Sequence, residues 1–493
     1  VLLTSLAVAR FARAHAGAFY DDAYIYLRYV QNVFGGCPLA FNCADGRIEG
    51  FTSPLYLALL TLGGALGASL ETVAHVVCAG SLALALGVAA SLPVHPLFRR
   101  SLGAARFAVA AAVALVLAWD HYVVLEGAVG LDAGLSAAVV GAVGWAALDE
   151  KRRGLRALLI VGIVTRPELA LLWLALPILP EGRKLRFYAP LAVAAAALAL
   201  VRWGLFADVL PNTVWAKTGG TVGHFELGLA YLGETFRDFP LIALSPLALG
   251  LPRARNAVSY LLAASGLWLA SFLYSGGDVF RYSRLAFPLV PLLSALALLG
   301  VAWWARVLLE RAAPRFVRLS SVAAALVALG FGSHALFEHQ IGDDVEMTNI
   351  DRWKKVGLFL SGFPEGTSVA TSAIGAVSFY SHLRVIDLLG LTNREVGKQG
   401  ATVPKLEARK SIGHERHNTE WVLAQKPDVI MTLAWSRTPF QPSTPIDAGV
   451  YADFLLMEEI RRGRAPYLVF TPEVAPGLYW FFFVRRDFAA TLR

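Results

Sequence analysis

The chain has 493 residues, 56% hydrophobic and only 16% charged; soluble domains average about 25% charged, so a single soluble globule is excluded and a polytopic membrane protein is predicted. Lysine and arginine total 44 against 36 aspartate and glutamate, a net charge of +8. Most of the excess lies in short loops between apolar runs, where it orients spans, so no nucleic-acid partner is expected.

Residues 1–18 form an apolar run interrupted by Arg10 and Arg13, with no small-residue cleavage pattern after it. They read as a retained first helix rather than a cleaved signal peptide. The string FYDDAYIYLRY (19–29) then sets two adjacent carboxylates, Asp21 and Asp22, ahead of an aromatic, amphipathic run at the membrane boundary. Cys37 and Cys43 lie six positions apart in this first loop, a spacing that permits a small disulfide in an oxidising exterior, whereas Cys78 inside a span is expected only to pack.

Runs of about 20 apolar residues are needed to span a bilayer. Spans are predicted near 73–91, 105–118, 133–148, 187–203, 239–251, 256–275, 284–305 and 319–336. Segment 53–68 is apolar too, but counting it as a span would put the Lys151–Arg156 cluster outside, so it is read as a helix lying at the outer interface. Segment 157–180 has basic clusters at both ends and Thr165, Arg166, Pro167 and Glu168 at its middle. It reads as two short helices meeting within the membrane, since proline and charge interrupt a helix and broken backbone is tolerated there when buried in protein.

This arrangement places Arg99, Arg100, Arg106, Lys151–Arg156, Arg183–Arg186, Arg253, Arg255 and Arg306–Arg318 in the cytoplasm. The opposite loops, with few basic residues, face outward. No internal repeat is visible. From about residue 337 the chain becomes ordinarily polar, giving a membrane part, 1–337, and a soluble outward part, 338–493. In the latter, 368–371, 384–388, 429–432, 467–470 and 479–484 read as strands and 419–425 as a helix, an α/β pattern.

The outward loops gather Asp21, Asp22, Arg28 and Glu49, then Glu126 and Asp132, Arg166 and Glu168, Asn212 and Lys217, and Asp278, Arg281 and Arg284. Charges this near a bilayer are functional candidates, although Arg166 with Glu168 also suits a buried ion pair and Glu126 a solvated rim. Neighbouring carboxylates raise each other's pKa, which makes Asp21 or Asp22 a proton acceptor from a hydroxyl. The pair equally suits a divalent cation that neutralises a phosphate, and this is the one cofactor the pattern suggests. Arg28, Lys217, Arg281 and Arg284 suit a phosphate leaving group. His414 with Glu415 is either a cap or surface pair or a contact to an acceptor.

Eight strings recur in the same order in a group of bacterial GT-C glycosyltransferases: FYDDAYIYLRY, IEGFTSPLY (48–56), GLD (130–132), TRPE (165–168), LPNTVWAK (210–217), GGDVFRYSR (276–284), VIDLLGLT (385–392) and GHERHNTEWVLAQKPDVI (413–430). The chain resembles the mycobacterial terminal β-arabinofuranosyltransferase family over nearly its whole length. The resemblance implies a GT-C-like fold of about 10–11 spans with a C-terminal periplasmic α/β domain. It also implies transfer of a sugar, arabinofuranose favoured, from a polyprenyl-phosphate donor to a glycan, lipid or protein acceptor, at the outer face of the inner membrane and among membrane lipids. Asp21 and Asp22 match the family's acidic positions; Asp132 stands where the family has glutamate, one methylene longer. TRPE and GGD make Arg166, Glu168 and Asp278 pocket residues by the same resemblance. A β-linked donor giving a β-linked product requires retention, hence a carboxylate nucleophile or front-face attack. Two other classes compete. A polyprenyl-linked glycan transporter or flippase would be expected to show repeats and midplane charges, and a membrane-anchored glycan-binding protein would need one span.

Overall fold

The computed structural model describes residues 19–217, 224–278, 283–311, 345–403, 415–441, 446, 450–463 and 465–491. The expected spans at 1–18 and 319–336 and the 337/338 boundary lie outside them, as do Arg281 and His414.

Among the described residues four helices are long and apolar enough to cross a membrane: Leu70–Leu102, Leu185–Phe206, Arg255–Ser275 and Phe287–Glu310. Shorter apolar helices accompany them, including Ala105–Trp119 and Ala133–Leu148. The chain is a multi-pass helical membrane protein with a C-terminal α/β region. Ala133–Leu148 is the buried centre of the bundle because its small residues let neighbours approach: a Cβ on Gly134 would lie 2.8 Å from the Leu82 backbone nitrogen. On Leu185–Phe206, by contrast, Val193, Leu200 and Trp203 are exposed, as a hydrocarbon-facing surface requires.

Two apolar segments depart from regular α-helix for a chemical reason. The predicted span at 239–251 is an 11-residue 3-10 helix, Pro240–Gly250, with Pro240 and Pro246 withholding backbone donors. At ~2.0 Å per residue it still extends about 22 Å. The helix Leu155–Thr165 stops where Arg166 precedes Pro167, and Arg166 is extended (φ −152°, ψ 141°) before a 3-10 turn, Pro167–Ala170, and a short helix, Leu171–Leu174. The break falls at the TRPE string.

The C-terminal sheet holds β1 (Ser368–Thr371), β2 (Arg384–Asp387), β5 (Val429–Ser436), β6 (Tyr467–Phe470), β7 (Glu473–Ala475) and β8 (Leu478–Arg485), in the order β2-β1-β5-β8-β6 with β7 also on β8. A separate pair joins β3 (Ala401–Thr402) to β4 (Arg416–His417). β1 runs parallel to β2 and β5, and β8 closes antiparallel on β5 and β6. Strand periodicity divides the side chains. Val369, Val385, Met431, Trp480 and Phe482 join one core with the N-terminal aromatic helix Asp21–Phe34, while Ala370, Ile386, Ile430, Phe481 and Phe483 pack on the helix Tyr451–Arg461. The predicted strands are present, β5 and β8 longer than the sequence indicated.

Polar side chains stitch the aromatic helix and its loop to the sheet. Asn42 bonds both ways with the Val385 backbone (2.8 and 3.0 Å), which satisfies β2 at the sheet edge. Arg28 donates to the carbonyls of Phe41, His382 and Leu383, and Asn212 Nδ2 to those of Gly390, Leu391 and Asn393. Cys37 and Cys43 are disulfide-bonded in the loop before this junction.

Candidate active site

A cavity of about 540 Å³ opens between the membrane helices and the loops above them. Such a volume suits one ligand of sugar-phosphate size. Its polar wall is Asp22, Glu126, Asp132, Arg166, Glu168, Lys217, Asp278 and Arg284, each from a different loop or helix end than most of its neighbours. The apolar side includes Leu171, Leu174, Leu210, Trp268, Phe272 and Tyr274, of which Leu174 and Tyr274 are well exposed at the surface.

The arginines are each set between two acids. Arg284 contacts Asp22 at 3.0 Å and Asp278 at 2.5 Å. Arg166 Nε lies 3.3 Å from Asp132 and 4.0 Å from Glu168, close enough for ion pairing but not aligned as hydrogen bonds. The remaining cation of the wall, Lys217, has no ion-pair partner among the described residues. Two acids flank each arginine, so among the described residues Lys217 is the wall cation with no acid beside it. Burial pushes the Asp132 carboxyl up from its ordinary range, opposed by Arg166.

Eight of the candidate residues gathered from the sequence therefore share this cavity: Asp22, Glu126, Asp132, Arg166, Glu168, Lys217, Asp278 and Arg284. Four stand elsewhere. Asp21 is buried and accepts from the Gly375 and Ala376 backbone N–H groups, both at 2.8 Å, at the start of the helix Gly375–Ser381. Burial pushes its carboxyl up to about 7 against the lowering effect of those donors. Successive helical residues are 100° apart, so Asp21 and Asp22 face different ways and do not form the shared cation site their adjacency suggested. Among the described residues no group of three or more His, Cys, Asp or Glu stands together as a metal site. Arg28 and Asn212 serve the junction described above, and Glu49 holds Arg202 in a buried two-pronged pair (2.9–3.1 Å).

Glu126 differs from the expected solvated rim. It is 1% exposed, and neither carboxylate oxygen has a hydrogen-bond partner. Burial pushes it up to about 8, partly offset by Arg284 and Arg166. A loop glutamate gives no sequence signal for this; its burial follows from the turn between His121–Leu125 and Ala133–Leu148 folding under the cavity. Glu415, beside the undescribed His414, is likewise buried and lies 2.9 Å from His224 Nε2.

A family model, "Domain of unknown function (DUF8728)", matches residues 339–472. That stretch leaves out β7 and β8. No curated protein matches the chain. Among solved structures, ArnT from Cupriavidus metallidurans bound to undecaprenyl phosphate is similar to it with a TM-score of 0.55 and 14% identity, over 98% of this chain and 97% of that one. Apo ArnT from the same organism gives a TM-score of 0.53 and 15% identity over the same shares. The fold thus resembles that of ArnT along nearly the whole chain.

Proposed function

We propose that this chain is a membrane glycosyltransferase that takes a sugar from a polyprenyl-phosphate donor and passes it to a glycan, lipid or protein acceptor at the outer face of the inner membrane. The observation that carries the reading is the charged cavity with an exposed apolar flank, in a fold shared with a protein that binds undecaprenyl phosphate. The motif resemblance favours arabinofuranose as the sugar. The soluble region, 338–493, is read as the outward domain that meets the acceptor.

A polyprenyl tail is too costly to lift into water at about 25 cal/mol per Å² of apolar surface, so the donor enters from the side, along the flank where Leu174 and Tyr274 are exposed. Its phosphate goes to Lys217, because Arg284 and Arg166 are already occupied by acids. Those arginines hold Asp22, Asp278 and Asp132 in place, and Arg281 is a further phosphate candidate from the GGD string. Asp22 is the carboxylate offered to the acceptor hydroxyl, and Asp21 anchors the helix that carries it.

The test is transfer by the purified protein in detergent from a synthetic polyprenyl-phosphate arabinofuranose to an oligosaccharide acceptor. No gradient exists there, so a transporter gives no product, and absence of product with several sugars sinks the reading. Replacing Lys217 with glutamine is expected to weaken donor binding roughly tenfold, the scale of one exposed charge-assisted contact, without changing the melting temperature. Equal donor affinity in the variant moves the phosphate to another cation.

A further inference from the structure

Glu126 is the one cavity carboxyl among the described residues whose two oxygens are both buried without a hydrogen-bond partner, and it is 1% exposed. Its backbone is fixed independently: the Glu126 carbonyl accepts from the buried Cys78 thiol at 3.1 Å. A buried polar group left unpaired costs stability, and such a group persists where a ligand completes it. The charged and titratable groups around it come from several elements. Arg284 and Arg166 draw it toward ionisation, Asp132 and Asp278 oppose that, and Tyr231 and Cys78 lie within electrostatic reach. The two arginines are each engaged by other acids, so neither supplies Glu126 with an ion pair.

We propose that Glu126 is a substrate-binding residue that presents a neutral carboxylic acid, a donor on one oxygen and an acceptor on the other, to hydroxyls of the transferred sugar. The inference deepens the transferase reading and rests on it. A protonated carboxyl both donates and accepts, as a sugar hydroxyl does, whereas a phosphate only accepts and has Lys217 to meet it. Sites built on buried hydroxyl-binding groups discriminate strongly, because a sugar lacking that hydroxyl leaves the group unpaired again. Glu126 would therefore help to set which sugar is taken.

Burial holds the proton on Glu126 up to about pH 8. Below that pH the donor is present; above it, ionisation removes the donor and adds repulsion toward the donor's phosphate. The ratio kcat/KM is thus expected to fall as pH rises through about 8 in the wild type. Glu126→Gln keeps one donor and one acceptor in nearly the same shape, so it should remain within about threefold of wild type at neutral pH and lose this alkaline fall. Glu126→Ala should lose roughly 10- to 100-fold in kcat/KM, more in KM than in kcat. A Gln variant as impaired as the Ala variant, or one that keeps the alkaline fall, overturns the proposal.

A second measurement does not depend on turnover. The infrared spectrum of substrate-free wild type minus that of Glu126→Gln should contain a protonated-carboxyl C=O band at neutral pH that disappears above pH 8. Absence of that band shows an ionised Glu126 and overturns the inference alone. A wild type that has the band but transfers no sugar overturns the transferase reading and, with it, the sugar as ligand.

Discussion

Replacing Asp22 with asparagine is expected to reduce sugar transfer by roughly 100- to 10,000-fold, the range for losing a general base, while leaving the protein folded. Asp22 lines the cavity, its side chain is 22% exposed, and Arg284 still has Asp278 when Asp22 is neutral. In the proposed transfer the acceptor oxygen bonds to the anomeric carbon, the polyprenyl phosphate leaves, and Asp22 takes the hydroxyl proton. If the reaction retains configuration by double displacement, the ionised oxygen acts instead as the nucleophile. Asparagine preserves size and the contact to Arg284 through its amide oxygen, but removes the charge in either role. Single-turnover rates with a synthetic donor, together with the melting temperature, check this. Transfer by the folded Asn variant at near wild-type rate would show that the chemistry runs elsewhere in the cavity.

The division between Asp21 and Asp22 marks where the sequence stops being readable. Hydropathy and turn residues placed the helices to within a few positions: Ala133–Leu148 and the break at Arg166 and Pro167 follow from local chemistry alone. Short runs of apolar, β-branched or aromatic residues did the same for β1 and β6. The sequence could assemble the candidate polar residues, because charge in an apolar chain is conspicuous. It could not separate those that line a cavity from those that join two layers. Asp21, Arg28 and Asn212 look like site residues in one dimension, yet their partners are backbone groups some 180 to 355 positions away. Glu126 went the other way, since burial of a loop glutamate depends on what folds over it. The 3-10 geometry of Pro240–Gly250 was implicit in its two prolines, but an apolar run of that length reads equally as a short α-helix.

Gly375→Ala is expected to separate the aromatic helix from the sheet and so to disable the site without touching it. A Cβ at Gly375 would fall 1.9 Å from the Asp21 carbonyl oxygen and 2.8 Å from its carbonyl carbon. Both are backbone atoms of a buried helix, so no rotamer change relieves the overlap. The helix Gly375–Ser381 must move away, and the two 2.8 Å bonds from its first N–H groups to the Asp21 carboxylate lengthen or break. Overpacking of this kind costs about 1–3 kcal/mol, and each hydrogen bond lost adds about 0.5–1.5 kcal/mol, so a loss of about 2–6 kcal/mol is expected. Asp22 is the next residue on the same helix turn, and a shift there misplaces it relative to Arg284. Transfer should drop at least about tenfold for a misplacement near 1 Å. Gly362→Ala is the matched control, because its Cβ would meet only the Phe359 carbonyl oxygen at 3.5 Å, an ordinary contact. Lower melting temperature, faster proteolysis between the two parts and reduced turnover are expected in Gly375→Ala and not in Gly362→Ala. If Gly375→Ala melts and turns over like the control, the contact between Asp21 and this helix does not hold the site together.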